Sequence, residues 1–354
     1  MDLVGGGAPS PLRLAFLYLS PWGHEFADVG RGQVPAHRLF GAAGLAARGH
    51  DVRFCADSGR LPWRLRQARW ALRQARAVDA FVATHEAAAE ALLLLRGLRL
   101  IRRPVLVMAV AATDPRRHSR LRRRIDAWLL GRADHVTVFA RSQLPDLRAM
   151  GVQESRSSFL AFGVDIDFFR PSPATRRRPR HVLSVGTNEG KDFATLVTAL
   201  PDDFTCTVVS DPANLAIAAA AAGDRPLGLG LEGNVPIRNL REAYAEADVL
   251  VIPLHPRQLS SGQTVLLEVM AMDRRVVVSD VPTVRDYVSD DVTCLVPSGD
   301  PAALRRALES EAGRAVAADS SPRAHVMAQD FTADGLSARI ESLLGTILRS
   351  TASH

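Results

Sequence analysis

Hydrophobic positions along this chain keep two rhythms. Apolar runs of about four to eight residues alternate with stretches whose apolar positions recur every three or four residues, the pattern of parallel strands buried on both faces with helices packed between them. In the first half the runs predict strands at Leu12–Leu19, Asp51–Cys55, Ala80–Ala83, Val105–Val110, His135–Phe139 and Ser158–Ala161, with helices that include His37–Arg48 and Gln143–Met150. The rhythm stops at Pro171–Arg180, where prolines and like charges read as a linker. A second series runs through His181–Val185, Thr205–Ser210, a weak strand near Gly228–Leu231, Val249–Ile252, Arg275–Ser279 and Thr293–Val296. Helices are expected at Phe193–Leu200, Asn239–Ala245, Gln263–Met272 and Ala302–Ala312, and Asp334–Leu348 forms a last amphipathic helix.

The fold class is therefore α/β, with two doubly wound Rossmann-like domains facing each other across a cleft: residues 1–170, a linker at 171–180, residues 181–330, and a C-terminal helix at 331–354 able to pack back on the first domain. A length of 354 residues lets each half bury its own core. The net charge of +6 permits acidic small molecules or anionic surfaces as partners without demanding nucleic acid, for which no recognition motif is visible. Three scattered cysteines give neither a disulfide framework nor a CxxC metal site, which favours a reducing compartment and a cytoplasmic location. The longest apolar runs are too short to span a bilayer, and Leu14–Leu19, with Trp22 and a glycine loop after it, reads as a first core strand rather than a signal segment.

One residue type is nearly absent. Lys191 is the only lysine, and the other 43 of the 44 basic side chains are arginine. It lies in Ser184-Val-Gly-Thr-Asn-Glu-Gly-Lys-Asp-Phe, a strand, a glycine loop and a helix start. A compact ammonium beside helix-terminal amides suits a phosphate, although a solvated surface lysine would give the same sequence. Downstream, Ser260, Ser261 and Gly262 form a polar bend before a helix whose first amides, at Gln263 and Thr264, are free to cradle a diphosphate. Glu268, about a turn and a half further on, is a candidate acceptor for ribose hydroxyls, and an ordinary crossover helix with a solvated glutamate reads the same residues equally well. No His/Cys/Asp cluster has metal spacing and no serine nucleophile elbow appears.

Three stretches resemble the retaining glycosyltransferases of family 4, the glycosyl transferases of group 1 with the GT-B fold. They are Ala133–Val152 running on to Phe162–Pro171, Ser184–Leu196, and Gly262–Pro301, in the family's order and spacing. The resemblance implies transfer of a hexosyl unit from a nucleotide-diphosphate sugar to an acceptor hydroxyl with retained configuration. The first domain would then hold the acceptor and the second the donor, which serves as co-substrate in place of any cofactor. It makes Lys191 the diphosphate lysine and Glu268 the second glutamate of the E-x7-E motif, on the ribose. Gly262, Gln263 and Thr264, with Ser261, become the distal-phosphate loop, and Gly30 and Gly32 the glycine loop that closes over the donor. Thr187 and Asn188 flank the diphosphate, Val235 packs on the base, and His85 and Asp114 are acceptor-side candidates.

The chain departs from the family at Ser260, where the first glutamate of the motif should stand, at Thr187, where an arginine is usual, and at Ala111–Thr113, where a histidine is expected after the strand. Arg257 or an arginine of the first domain is the candidate replacement on the diphosphate. Two other readings fit the same residues: a sugar-nucleotide epimerase or hydrolase of the same fold, or a catalytically weakened protein that binds a sugar nucleotide. The first half also carries the basic amphipathic stretch Arg60–Arg76, with Trp63 and Trp70 two turns apart, and a second cluster at Arg116–Arg124 followed by Trp128. These suggest peripheral contact with an anionic membrane on its cytoplasmic face, or a solvated arginine face with the tryptophans turned inward.

Overall fold

The structure is a computed structural model that describes residues 10–21, 23–55, 62–116, 119–171, 177–224, 228–233, 235–316 and 320–352. Trp22, His118 and half of the expected linker, 172–176, lie outside the described residues.

Among the described residues twelve strands form two six-stranded sheets, each wholly parallel. The first contains β1 (Arg13–Leu17), β2 (Asp51–Phe54), β3 (Ala80–Ala83), β4 (Val105–Ala109), β5 (His135–Val138) and β6 (Ser157–Phe159), in the order β2-β1-β3-β4-β5-β6. The second contains β7 (Arg178–Val185), β8 (Thr205–Val209), β9 (Gly228–Glu232), β10 (Ala247–Ile252), β11 (Val276–Asp280) and β12 (Thr293–Pro297), in the order β12-β11-β10-β7-β8-β9. Each expected strand is present within a few residues of its expected ends. The central strands β3, β4 and β5 are buried along their whole length, which is why they read as unbroken apolar runs.

The expected helix at His37–Arg48 is two pieces, a 3-10 turn at Ala36–Leu39 and an α-helix at Ala42–Ala47. Between them Phe40 has φ 50° and Gly41 φ 86°, so the chain reverses its hand for two residues. The break turns His37 inward, where it is buried. The Trp63–Gln74 helix follows the basic amphipathic pattern. Both tryptophans are half-buried, and the Trp63 indole N–H donates to the Tyr18 carbonyl at 3.0 Å.

One hydrophobic core runs through both lobes and joins Phe139, Phe162 and Phe169 to Leu250, Leu267 and Tyr287. Tyr287, fully buried, donates to the Phe139 carbonyl at 2.7 Å and accepts from the Phe162 amide at 3.0 Å, tying the lobes with one hydroxyl. Burying a side chain of that size contributes about 2–3 kcal/mol. The last helix, Ala333–Ala352, lies against Ala42–Ala47, and a Cβ at Gly44 would fall 2.2 Å from the Ser337 hydroxyl, so only glycine admits that approach.

Candidate active site

The carboxyl ends of β7 and β10 carry the loops that build the site, as parallel α/β sheets favour. After β7 the chain turns through Gly186 at φ 151°. A Cβ there would sit 2.0 Å from Lys191 Cε and 2.7 Å from Lys191 Nζ, so the bare glycine backbone lies directly over the lysine side chain. Asn188 shapes the loop, its Oδ1 accepting from the Gly190 amide at 3.1 Å and from the Ser261 hydroxyl at 2.8 Å. A Cβ at Gly190 would meet Ser261 Oγ at 2.7 Å. Lys191 also forms an isolated antiparallel bridge with Leu254. The lysine loop and the serine-glycine bend, 70 residues apart in sequence, are therefore in direct contact.

Lys191 is 4 % exposed, and its Nζ is a buried donor with no hydrogen-bond partner among the described residues. Burial pulls its pKa down to about 8 from the usual 10.5, and the charge of Glu268 acts in the opposite direction. A buried ammonium with nothing to donate to is costly, and the cost is relieved once an anion enters.

The bend supplies the complementary half. Gly262, at φ 89°, is the residue before the Gln263–Ala271 helix, and no side chain caps its first turn. A Cβ at Gly262 would come within 3.1 Å of Ile252 and of Leu254, so both conformation and space call for glycine. Gln263 itself faces inward and donates from Nε2 to the Thr283 carbonyl at 2.9 Å, whereas Thr264 and Thr187 are exposed.

Glu268 is not solvated. It is 3 % exposed and accepts from the Tyr244 hydroxyl at 2.9 Å and from His37 Nε2 at 3.2 Å. His37 Nδ1 accepts from the Asp165 amide at 3.0 Å, which fixes the ring proton on Nε2 and makes it the donor to the carboxylate. Burial raises the Tyr244 pKa well above its ordinary range, with the Glu268 charge adding to it, so the phenol remains a donor. His37 and Tyr244 escape sequence reasoning because neither belongs to a local motif, and His37 meets its partner only across 231 residues.

At the departures from the family pattern a polar set links the lobes. The Ser260 amide donates to the Val110 carbonyl at 3.0 Å and its hydroxyl to Gln143 Oε1 at 3.0 Å. Gln143 Nε2 and the Thr113 hydroxyl both donate to the Gln258 carbonyl, at 3.3 and 2.9 Å. Asp114, 1 % exposed, accepts from Arg257 Nε at 2.8 Å, and Arg257 NH1 donates to the Glu189 carbonyl at 3.1 Å, beside the lysine loop. Asp114 thus holds an arginine next to the site. His85, the other acceptor-side candidate, caps the Glu86–Gly97 helix, its Nδ1 accepting from the Ala87 amide at 3.0 Å. Gly30 and Gly32 are exposed with open space around them, and Gly32 has φ 63°. Val235 lines a groove of about 400 Å³ with Val209, Gly233 and Pro236. Among the described residues no group of three or more His, Cys, Asp or Glu is gathered as for a metal ion.

Residues 188–310, which span the lysine loop and the bend, match the family model of the glycosyl transferases group 1. The whole fold is similar to HepE from Anabaena, solved in complex with UDP and glucose, at TM-score 0.70 and 15 % identity, with 94 % of this chain and 99 % of that one covered. It is also similar to sucrose-phosphate synthase from Thermosynechococcus elongatus (TM-score 0.74, 16 % identity, 96 % and 100 % covered). The catalytic domain of starch synthase IV from Arabidopsis thaliana, bound to ADP and acarbose, is more distant (TM-score 0.64, 11 % identity, 96 % and 100 % covered). No curated protein matches the sequence. Two parallel sheets with flanking helices are the GT-B fold. The class that the fold defines is GT-B, and the second lobe carries the match to the glycosyl transferases group 1.

Proposed function

We propose that the protein transfers a hexosyl unit from a nucleotide-diphosphate sugar to an acceptor hydroxyl with retention of configuration. One observation carries this reading: Lys191 Nζ is buried and unpartnered in a loop packed against the uncapped Ser261-Gly262 bend. In the reaction the bond from the anomeric carbon to the diphosphate oxygen breaks and a bond to the acceptor oxygen forms on the same face. The acceptor proton passes to the leaving phosphate oxygen, so no protein base is required. Lys191 and the first amides of the Gln263–Ala271 helix neutralise the charge that grows on the diphosphate. Arg257, held by Asp114 beside Glu189, is the nearest substitute for the arginine missing at Thr187. Glu268, oriented by Tyr244 and His37, keeps lone pairs for ribose hydroxyls. Val235 and Pro236 supply an apolar wall for the base.

UDP-glucose, the ligand of one HepE structure, is the first donor to test. Transfer to an acceptor panel, with the product anomer read by NMR, supports the reading. An inverted anomer removes retention, and turnover of donor without acceptor points to an epimerase or hydrolase. One observation favours a binding-only protein: Ser260, which stands where the family pattern has a carboxylate, is committed to Val110 and Gln143. Tight nucleotide-sugar binding with no transfer identifies that case.

A further inference from the structure

The first lobe carries an apolar face that nothing among the described residues covers. Of the twelve large hydrophobic side chains exposed among the described residues, eight lie between Leu65 and Trp128. Six of them sit on three neighbouring helices, Trp63–Gln74, Glu86–Gly97 and Arg120–Leu130, and Leu98 and Leu100 follow the end of the second. The third helix is apolar on two sides. Leu129 and Leu130 face the core, while Leu121, Ile125 and Trp128, spaced four and three residues apart, form an outward stripe with Leu121 70 % exposed and Trp128 49 % exposed. A Cβ on Gly97 would come within 3.7 Å of the Trp128 ring, so the stripe continues onto the end of the middle helix at Leu94 and Leu98, the latter also 70 % exposed. Scattered exposed leucines are ordinary; a contiguous set on adjacent helices is not.

The charge around this stripe has one sign. Residues 116–132 contain seven arginines and one acid, Asp126, which is buried and paired with Arg122. Residues 63–76 contain five arginines and no acid. Glu90, on the middle helix, is bridged by Arg64 at 2.8 Å and also by Arg122, so its charge is cancelled inside the three-helix face. Arg132 lies over the Trp128 ring at 3.3 Å, keeping a cation at the edge of the stripe. The tryptophans of the first helix take no part, because they turn inward.

From this geometry we infer that the Leu94–Leu98 and Leu121–Trp128 face docks on an anionic phospholipid bilayer, with Leu121, Ile125 and Trp128 in the headgroup boundary and the flanking arginines on lipid phosphates. A bilayer rather than a protein is the occupant the charge selects, since arginines border the stripe with no uncompensated acid between them. The middle helix starts at the cleft and carries the apolar residues at its other end. Glu86, the first residue of the middle helix, accepts from the Val110 and Ala111 amides at 2.8 and 3.1 Å, and the Val110 carbonyl accepts from Ser260.

The test is cosedimentation of the full chain with phosphatidylcholine vesicles, with and without about 30 % phosphatidylglycerol. The parent protein binds the anionic vesicles at least about tenfold more tightly than the neutral ones, and about 0.5 M salt weakens that binding. The variant L121A/I125A/W128A and, separately, R120E/R123E/R124E each lose about tenfold or more, while melting within about 3 °C of the parent and binding nucleoside diphosphate unchanged. The inference is overturned if the parent does not distinguish the two vesicles, or if both folded variants bind as the parent does. It is equally overturned if the parent sediments as a dimer that L121A/I125A/W128A converts to monomer, with no vesicle binding, because a second copy is then the occupant. Vesicle binding is read without turnover, so its failure leaves the glycosyl-transfer reading untouched.

Discussion

The sheet of the second lobe holds a buried cation at each end, and the two are treated in opposite ways. At the amino ends of its strands Arg274, 8 % exposed, donates to the carbonyls of Ala245 at 2.9 Å and Asp248 at 3.3 Å, and also to that of Ala247. It closes the exit of the Ile237–Glu246 helix onto β10. At the carboxyl ends the ammonium of Lys191, also buried, donates to nothing among the described residues. Burial lowers both, Arg274 to about 10 and Lys191 to about 8. Arg274 completes the fold, whereas Lys191 costs the fold something and is useful only once an anion arrives. On the proposed reading, stability and function lie at opposite ends of one sheet.

Lys191→Met breaks the comparison most sharply. Turnover falls by about a hundredfold or more, the scale of losing one preorganised charge donor, as steady-state kinetics on the best donor can show. Arg274→Met should leave turnover per folded molecule unchanged. Urea unfolding of the ligand-free proteins then gives opposite signs. Arg274→Met strands three carbonyls and costs about 2–4 kcal/mol, whereas Lys191→Met removes an unpaired buried charge and stabilises by about 1–3 kcal/mol.

The pH dependence sharpens this difference. The unfolded amine titrates near its ordinary 10.5 and the folded one near 8, so between these values the unfolded chain holds more protons and folding stability rises with pH. The advantage of Lys191→Met is accordingly full below pH 8 and fades by about pH 10, a difference of up to about 3 kcal/mol. Affinity for a nucleotide sugar, whose diphosphate does not titrate in this range, is constant below pH 8 and weakens about tenfold per unit above it, as calorimetry across that range will record.

Smaller effects belong to the surrounding groups. Glu268→Gln weakens nucleotide binding by about five- to tenfold, measured by the same calorimetry, because a uniformly accepting carboxylate becomes half donor toward Tyr244, His37 and the ribose. Gln143→Ala removes the Ser260 contact between the lobes and costs about 1 kcal/mol in thermal unfolding, with a rise in KM larger than any fall in kcat.

The strands were legible because burial on both faces leaves an apolar run that sequence displays directly, as in β4 and β5. Lys191 and the Ser261-Gly262 bend were legible because each carries local chemistry, a lone ammonium after a glycine loop and a glycine before a helix. What sequence concealed was long-range pairing. Glu268 looks like a surface helix residue until His37 and Tyr244 are brought to it, and Ser260 reads as a gap in a motif until its bonds to Val110 and Gln143 are seen. The break at Phe40-Gly41 was hidden inside a helical periodicity, because the force that breaks it, the inward pull on His37, comes from residues more than a hundred positions away.

Because Lys191 is the only lysine, lysine labelled with carbon-13 at Cε gives a single resonance whose titration reports this amine alone. The account predicts a titration near pH 8 in the free protein, shifted upward beyond pH 10 when nucleoside diphosphate is added. An amine that titrates near 10.5 in the free protein and does not move on adding nucleoside diphosphate would contradict it.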